Sequence, residues 1–155
     1  MTNQSMGSMV TKPYQKDRRK SPRVVCSSPL TFQLIGKMKK EKITPRLRGQ
    51  SIDFSDTVIC IETNNVIVNG IHVLIEGMNQ NNLLKVEITI PEESLTLILY
   101  TTVLRYDLSS DSASRRIRVY LGIEDIEPES MAGWDQLLHR KKSIKDCLSW
   151  LLSLF

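Results

Sequence analysis

The chain has 155 residues and a mass of 17.7 kDa, a length that suits one domain with appendages and leaves two full domains cramped. Hydrophobic residues make up 41% and charged residues 25%, the balance of a globular chain with a real core and not of a disordered one. Charge is unevenly spread: the first 48 residues hold twelve Lys or Arg against two Asp or Glu, a net of +10, and the other 107 hold nine against fifteen, a net of −6.

That asymmetry favours a polyanionic partner for the front of the chain, whether dinucleotide, nucleic acid or anionic lipid, without choosing among them. Residues 1–16 have no sustained apolar period and are expected to form a loose arm, because they bury too little surface to offset the entropy of ordering. Next comes the basic segment Asp17-Arg18-Arg19-Lys20-Ser21-Pro22-Arg23. From Val24 onward, short β-rich runs recur between turn signals. They are Val24 to Ile35 with a break at Ser27-Ser28-Pro29, Arg46 to Phe54, Val58 to Glu62, His72 to Glu76, Leu83 to Ile90, Leu95 to Tyr106 and Ile117 to Glu124. Asn69-Gly70, Gly77 to Asn82 and Pro91 to Ser94 punctuate them, and Leu108 to Ser114 reads as a hairpin loop. Runs so spaced, with no helices between them, predict an antiparallel sandwich or small barrel.

After Pro128 the period changes. Met131, Trp134, Leu137 and Leu138 fall at helical spacing, with Glu129 early, where it suits the positive end of a helix dipole. A second apolar series, Ile144, Cys147, Leu148, Leu151, Leu152 and Phe155, keeps the same period beyond Arg140-Lys141-Lys142-Ser143. This stripe either packs back on the barrel or, lying beside Lys141, Lys142 and Lys145, pairs with a second subunit, a partner or an anionic membrane.

Two segments carry chemistry. Arg18, Arg19 and Arg23 place three planar, permanently charged forks within six residues. Such forks pair with phosphate oxygens or the O6 and N7 edge of guanine, and their faces stack on bases. In Ser51-Ile52-Asp53-Phe54-Ser55-Asp56-Thr57-Val58, Asp53 offers a carboxylate for a guanine N1 and N2 donor edge, and Ser55 a hydroxyl for phosphate or backbone. Taken singly, the arginines read as a solvated linker and Asp53 and Ser55 as turn caps. The combination is what carries information.

Together these segments resemble the PilZ domain, the bacterial receptor module for cyclic di-GMP. The family's RxxxR motif corresponds to Arg19 and Arg23, with Arg18 ahead of it; the [D/N]xSxxG motif corresponds to Asp53 and Ser55, with Val58 where glycine is expected. Val58 to Thr63 and Val119 to Glu124 look like the family's strands after the second motif and at barrel closure, and the resemblance spans about residues 17–140. A β-branched valine tolerates neither a positive backbone angle nor close ligand approach well, so either this departure weakens binding or the position is an ordinary strand entry with the valine pointing into the core. The aromatic residue that usually follows the closing Gly-Ile pair is also missing, since Asp125 follows Glu124.

Other chemistries find little support in the sequence. Cys26, Cys60 and Cys147 are odd in number and lack metal spacing, and His72 and His139 lie in unrelated contexts, so reduced thiols and ordinary polar histidines are expected. There is no Walker loop, GxGxxG, nucleophile elbow or zinc hydrolase motif. Lys37 to Lys42 has no aromatics interleaved with its charges, which argues against nucleic acid. No apolar stretch reaches the roughly 18 residues of a spanning helix, and the N-terminus lacks a signal-peptide core; a cytoplasmic location off the membrane is expected.

The expected protein is therefore mainly β: an arm at 1–16, a PilZ-like six- or seven-stranded antiparallel barrel with a C-terminal helix at 17–140, and an amphipathic helical extension at 141–155. The resemblance implies a cyclic di-GMP effector and not an enzyme, without cofactor or metal. Its ligand would be held by Arg18, Arg19, Arg23, Asp53, Ser55 and the Val58 turn, folding the arm onto the barrel and altering a surface for an unidentified protein partner. A homodimer through the last helix is the simplest association. The alternative is a degenerate PilZ module acting as a nucleotide-independent interaction or oligomerisation domain.

Overall fold

The structure, a computed structural model, describes residues 23–91, 94–108 and 115–139. The strands in chain order are β1 (Val24–Val25), β2 (Pro29–Gly36), β3 (Leu47–Phe54), β4 (Val58–Thr63), β5 (Ile67–Val68), β6 (Ile71–His72), β7 (Asn82–Ile90), β8 (Leu95–Leu108) and β9 (Ile117–Ile126). One helical turn, α1 (Val73–Glu76), follows β6, and a helix, α2, covers 128–139.

Strands β3, β2, β7, β8, β9 and β4 are hydrogen-bonded neighbours in that order, and β4 pairs back with β3, closing a six-stranded antiparallel barrel. Alternation explains the closure. Leu30, Phe32 and Leu34 of β2, Leu84, Val86, Ile88 and Ile90 of β7, Leu97 and Leu99 of β8, Val119 and Leu121 of β9 and Ile59 and Ile61 of β4 all fill one interior. Closure removes the edges that an open sheet would expose.

Strand β1 lies outside the ring. Val24 pairs with Phe54 and Val25 with Asp53, on the same edge of β3 that accepts β2 further along, where Pro29 faces Gln50. Ser51 holds the step between the two strands: its Oγ accepts from Ser28 N at 2.9 Å and donates to the Cys26 carbonyl. The predicted break at Ser27-Ser28-Pro29 is this step.

The two barrel ends are plugged differently. Val73 and Leu74 of α1 are buried in the main core, following the Asn69-Gly70 turn, whose residues adopt φ of 53° and 77°, the mirror-image turn such a pair favours. At the other plug, Trp134 and Leu137 of α2 enter the core, and the Trp134 ring lies 4.9 Å from that of Phe54. The first turn of α2 is stitched to β8: Glu127 N donates to the Ile98 carbonyl, and Ser130 Oγ accepts from Ile98 N.

One expected strand is corrected. His72 to Glu76 is strand only at His72; Val73–Glu76 is helical, because His72 Nδ1 accepts from Ile75 N and caps the turn while Val73 and Leu74 gain burial. The small β5–β6 hairpin was not anticipated. The second apolar series at 144–155 lies outside the described residues.

Candidate functional site

The site is built on the outer wall of the barrel, where β3, β4 and β9 run side by side. Asp53 faces Cys60 on β4, and Cys60 faces Tyr120 on β9. Directly opposed residues in antiparallel strands share a face, so these three form a row, which Val25 of β1 extends beside Asp53.

Strict alternation would turn Asp53 the other way. Ser51 is buried opposite Ile61 of the core, and two residues on Asp53 would share its face. A register shift between Ser51 and Asp53 leaves Ile52 as an extra residue, and this bulge turns Asp53 outward while Phe54 returns to the interior.

The last residue of the basic segment, Arg23, meets this carboxylate. Arg23 Nη1 lies 3.2 Å from Asp53 Oδ1, both side chains about a quarter exposed. The sequence-predicted Arg23 and Asp53 are therefore brought together, whereas Arg18 and Arg19 lie outside the described residues.

Ser55 and Val58 form the turn that carries the motif. Ser55 N donates to the Val58 carbonyl at 2.8 Å, and Ser55 Oγ accepts from Thr57 N at 3.3 Å and Val58 N at 3.2 Å. The hydroxyl thus serves the hairpin, as turn chemistry favours. Among the described residues, positive φ is confined to Lys40, Asn69, Ser94, Arg115 and Gly70. Val58 is an ordinary strand residue, so the backbone strain expected of valine in place of glycine does not arise.

Charges surround the row. Glu62 of β4 receives Arg116 at 3.1 Å and Arg118 at 3.4 Å, and the hydrogen bond to Glu62 holds Arg118 still more firmly in its charged form. Burial, followed by the Asp53 charge, pushes the Cys60 thiol up to about 11, against weaker lowering by Arg118 and Arg23. Cys60 is therefore a protonated floor and not a nucleophile at neutral pH. Beside it, a groove of about 250 Å³ is lined by Arg48, Gln50, Glu62, Asn64 and Arg116 among others.

Sequence reasoning missed Cys60, Glu62, Arg116, Arg118 and Tyr120 as wall residues. Their signal was available: on β4 and β9, Cys60, Glu62, Arg118 and Tyr120 occupy the positions alternating with core Ile59, Ile61, Val119 and Leu121, and Arg116 lies just before β9. His72 caps α1, and His139 Nδ1 lies 2.9 Å from the Asp135 carbonyl. Among the described residues, no group of three or more His, Cys, Asp or Glu could hold a metal ion, and no helix is long and apolar enough to cross a membrane.

No protein-family model matches the sequence, and no curated protein matches it. Solved structures do match by shape. The PilZ domain of YcgR from Escherichia coli, solved with c-di-GMP, aligns with a TM-score of 0.53 at 12% identity, over 85% of this chain and 97% of that one. The Borreliella burgdorferi PlzA protein, in complex with c-di-GMP, gives 0.50 at 12% identity, over 90% of this chain and 56% of its own. The Bacillus subtilis inhibitor of motility MotI/DgrA gives 0.55 at 16% identity, over 83% and 52%. The chain thus spans about half the length of the MotI and PlzA chains and nearly all of the YcgR domain. Its fold is PilZ-like.

Proposed function

We propose that this chain is a cyclic di-GMP receptor of the effector type, whose arginine-bearing arm and barrel wall grip the dinucleotide between them. The observation that carries the reading is the Arg23–Asp53 contact: a fork from the first motif and the carboxylate of the second meet at 3.2 Å on a fold shared with a PilZ domain solved with c-di-GMP. Arg19 and Arg23 supply charge-assisted bonds to phosphate and guanine edges, Arg18 adds charge or a stacking face, and Asp53 accepts from a guanine N1 and N2 edge. Ser55 acts by holding the Asp53–Val58 turn.

A ligand shifts an equilibrium only by its differential affinity for two states. An arm that contacts the dinucleotide only when folded over the wall supplies that difference, and the resulting surface is what a protein partner reads. Self-association through the apolar series at 144–155 is part of this proposal.

Isothermal titration of the full chain with cyclic di-GMP, against GTP and cyclic di-AMP, tests it. Selective binding of cyclic di-GMP is the expected result. Absence of any binding would leave a nucleotide-independent interaction module.

A further inference from the structure

We infer that Arg105, backed by Tyr120, is a stacking platform for a base of the bound dinucleotide, outside both sequence motifs. The inference rests on the cyclic di-GMP reading and adds a subsite to it. Tyr120 belongs to the Asp53–Cys60–Tyr120 row, and Arg105 of β8 is its register partner on the far side. The Arg105 guanidinium carbon sits 4.0 Å from the centroid of the Tyr120 ring, a cation–π arrangement. Its Nη1 lies 2.6 Å from Asp107 Oδ2. One face of the guanidinium is thus covered by the phenol ring and one edge is tied to a carboxylate, while the side chain as a whole remains 61% exposed.

The backbone is shaped to put it there. Val103 faces core Leu121, so by alternation Arg105 would also point inward, but the register shifts between Tyr120 and Leu121 and leaves Leu104 as an extra residue. This bulge turns Arg105 onto the outer wall, as the Ile52 bulge does for Asp53. Leu104 is accommodated over Gly122, where a Cβ would come within 3.2 Å of its Cδ2. Two bulges on strands at opposite ends of one row therefore present one carboxylate and one planar cation.

Their spacing suits a two-base ligand. Asp53 and Arg105 are three strand steps apart, about 14 Å at the usual inter-strand distance. One guanine read by Asp53 does not extend that far; a dinucleotide carries a second purine toward Arg105. A flat guanidinium held on one face by an aromatic ring offers its other face to that purine at little cost in side-chain entropy.

Titration of the full chain and of point variants with cyclic di-GMP tests the platform. Arg105→Ala is expected to weaken binding roughly tenfold, within the range for loss of one base–side-chain stack. Arg105→Lys, which keeps charge but not the plane, should be weakened nearly as much. Tyr120→Phe should bind like wild type, and Tyr120→Leu should be several-fold weaker with an unchanged melting profile for Arg105→Ala as the folding control. If Arg105→Ala or Arg105→Lys titrates like wild type while Arg23→Ala is strongly weakened, the platform is wrong and the receptor reading stands. If wild type itself fails to bind cyclic di-GMP, the receptor reading falls and the platform with it.

Discussion

Val58 stands directly opposite Gly122 across the β4–β9 pair. The residue that replaces the motif glycine thus faces a residue without a side chain, over which the Leu104 side chain packs. Val58→Gly is expected to lower stability by about 1 kcal/mol, the cost of glycine within a strand, and to leave cyclic di-GMP affinity within about twofold. Thermal melts and titration of the variant decide it. A clear gain in affinity would mean that the valine obstructs the ligand.

Arg19→Ala, Arg23→Ala and Asp53→Ala should each lower cyclic di-GMP affinity by at least about tenfold, the scale of one charge-assisted contact. For Arg23→Ala and Asp53→Ala, stability should stay within about 1 kcal/mol of wild type, because the Arg23–Asp53 pair is partly exposed and such pairs contribute little to folding. Wild-type titration curves for both arginine variants would sink the assigned pocket.

Ser55→Ala is expected to behave differently. Its hydroxyl accepts from two turn amides, so the change should cost about 1 kcal/mol of stability and weaken binding only through a looser Asp53–Val58 turn. A loss of affinity as large as that of Asp53→Ala, with stability intact, would instead mark a direct ligand contact.

Alkaline pH should destabilise the barrel in two overlapping windows. Burial raises the Cys60 thiol from 9.0 to about 11; burial and then the hydrogen bond to Glu127 raise the Tyr100 phenol from 10.0 to about 12. In both cases the folded state favours the protonated group, so the contribution is intact below the unfolded value and is lost as pH rises through the folded one. Urea unfolding should show stability falling from about pH 9 to 11 for Cys60 and from about 10 to 12 for Tyr100. Cys60→Ala should flatten the lower window and Tyr100→Phe the upper; unchanged slopes would contradict the assignment.

Truncation after Lys142 should give a folded monomer that still binds cyclic di-GMP, since Trp134 and Leu137, the α2 residues of the core, are retained. Full-length protein is expected to self-associate through Ile144, Leu148, Leu151, Leu152 and Phe155 with two-fold symmetry. Light scattering compares the two. Full-length protein monomeric at high micromolar concentration would assign that stripe to its own barrel or another partner.

Most strands were legible because β7 and β9 alternate apolar and polar residues over most of their length, and the Asn69-Gly70 and Gly77 to Asn82 signals fall where the structure also turns. The turn α1 was hidden by its own composition: Val73-Leu74-Ile75 favours strand locally, and a tertiary burial plus one imidazole cap override it. The wall was half legible. Asp53 and Ser55 stand out by their motif, but Arg105 and Tyr120 lie far apart in the chain, and the bulges at Ile52 and Leu104 break the two-residue period that assigns faces.

Strand β1 is only two residues long, yet it works as a ratchet tooth. Val24 is 1% exposed and Val25 61%, so sliding this strand one residue along β3 would drag an apolar side chain out of the core and push its neighbour in. Graded sliding is thereby forbidden. The strand has one register on β3, and that register is the one that sets Arg23 against Asp53.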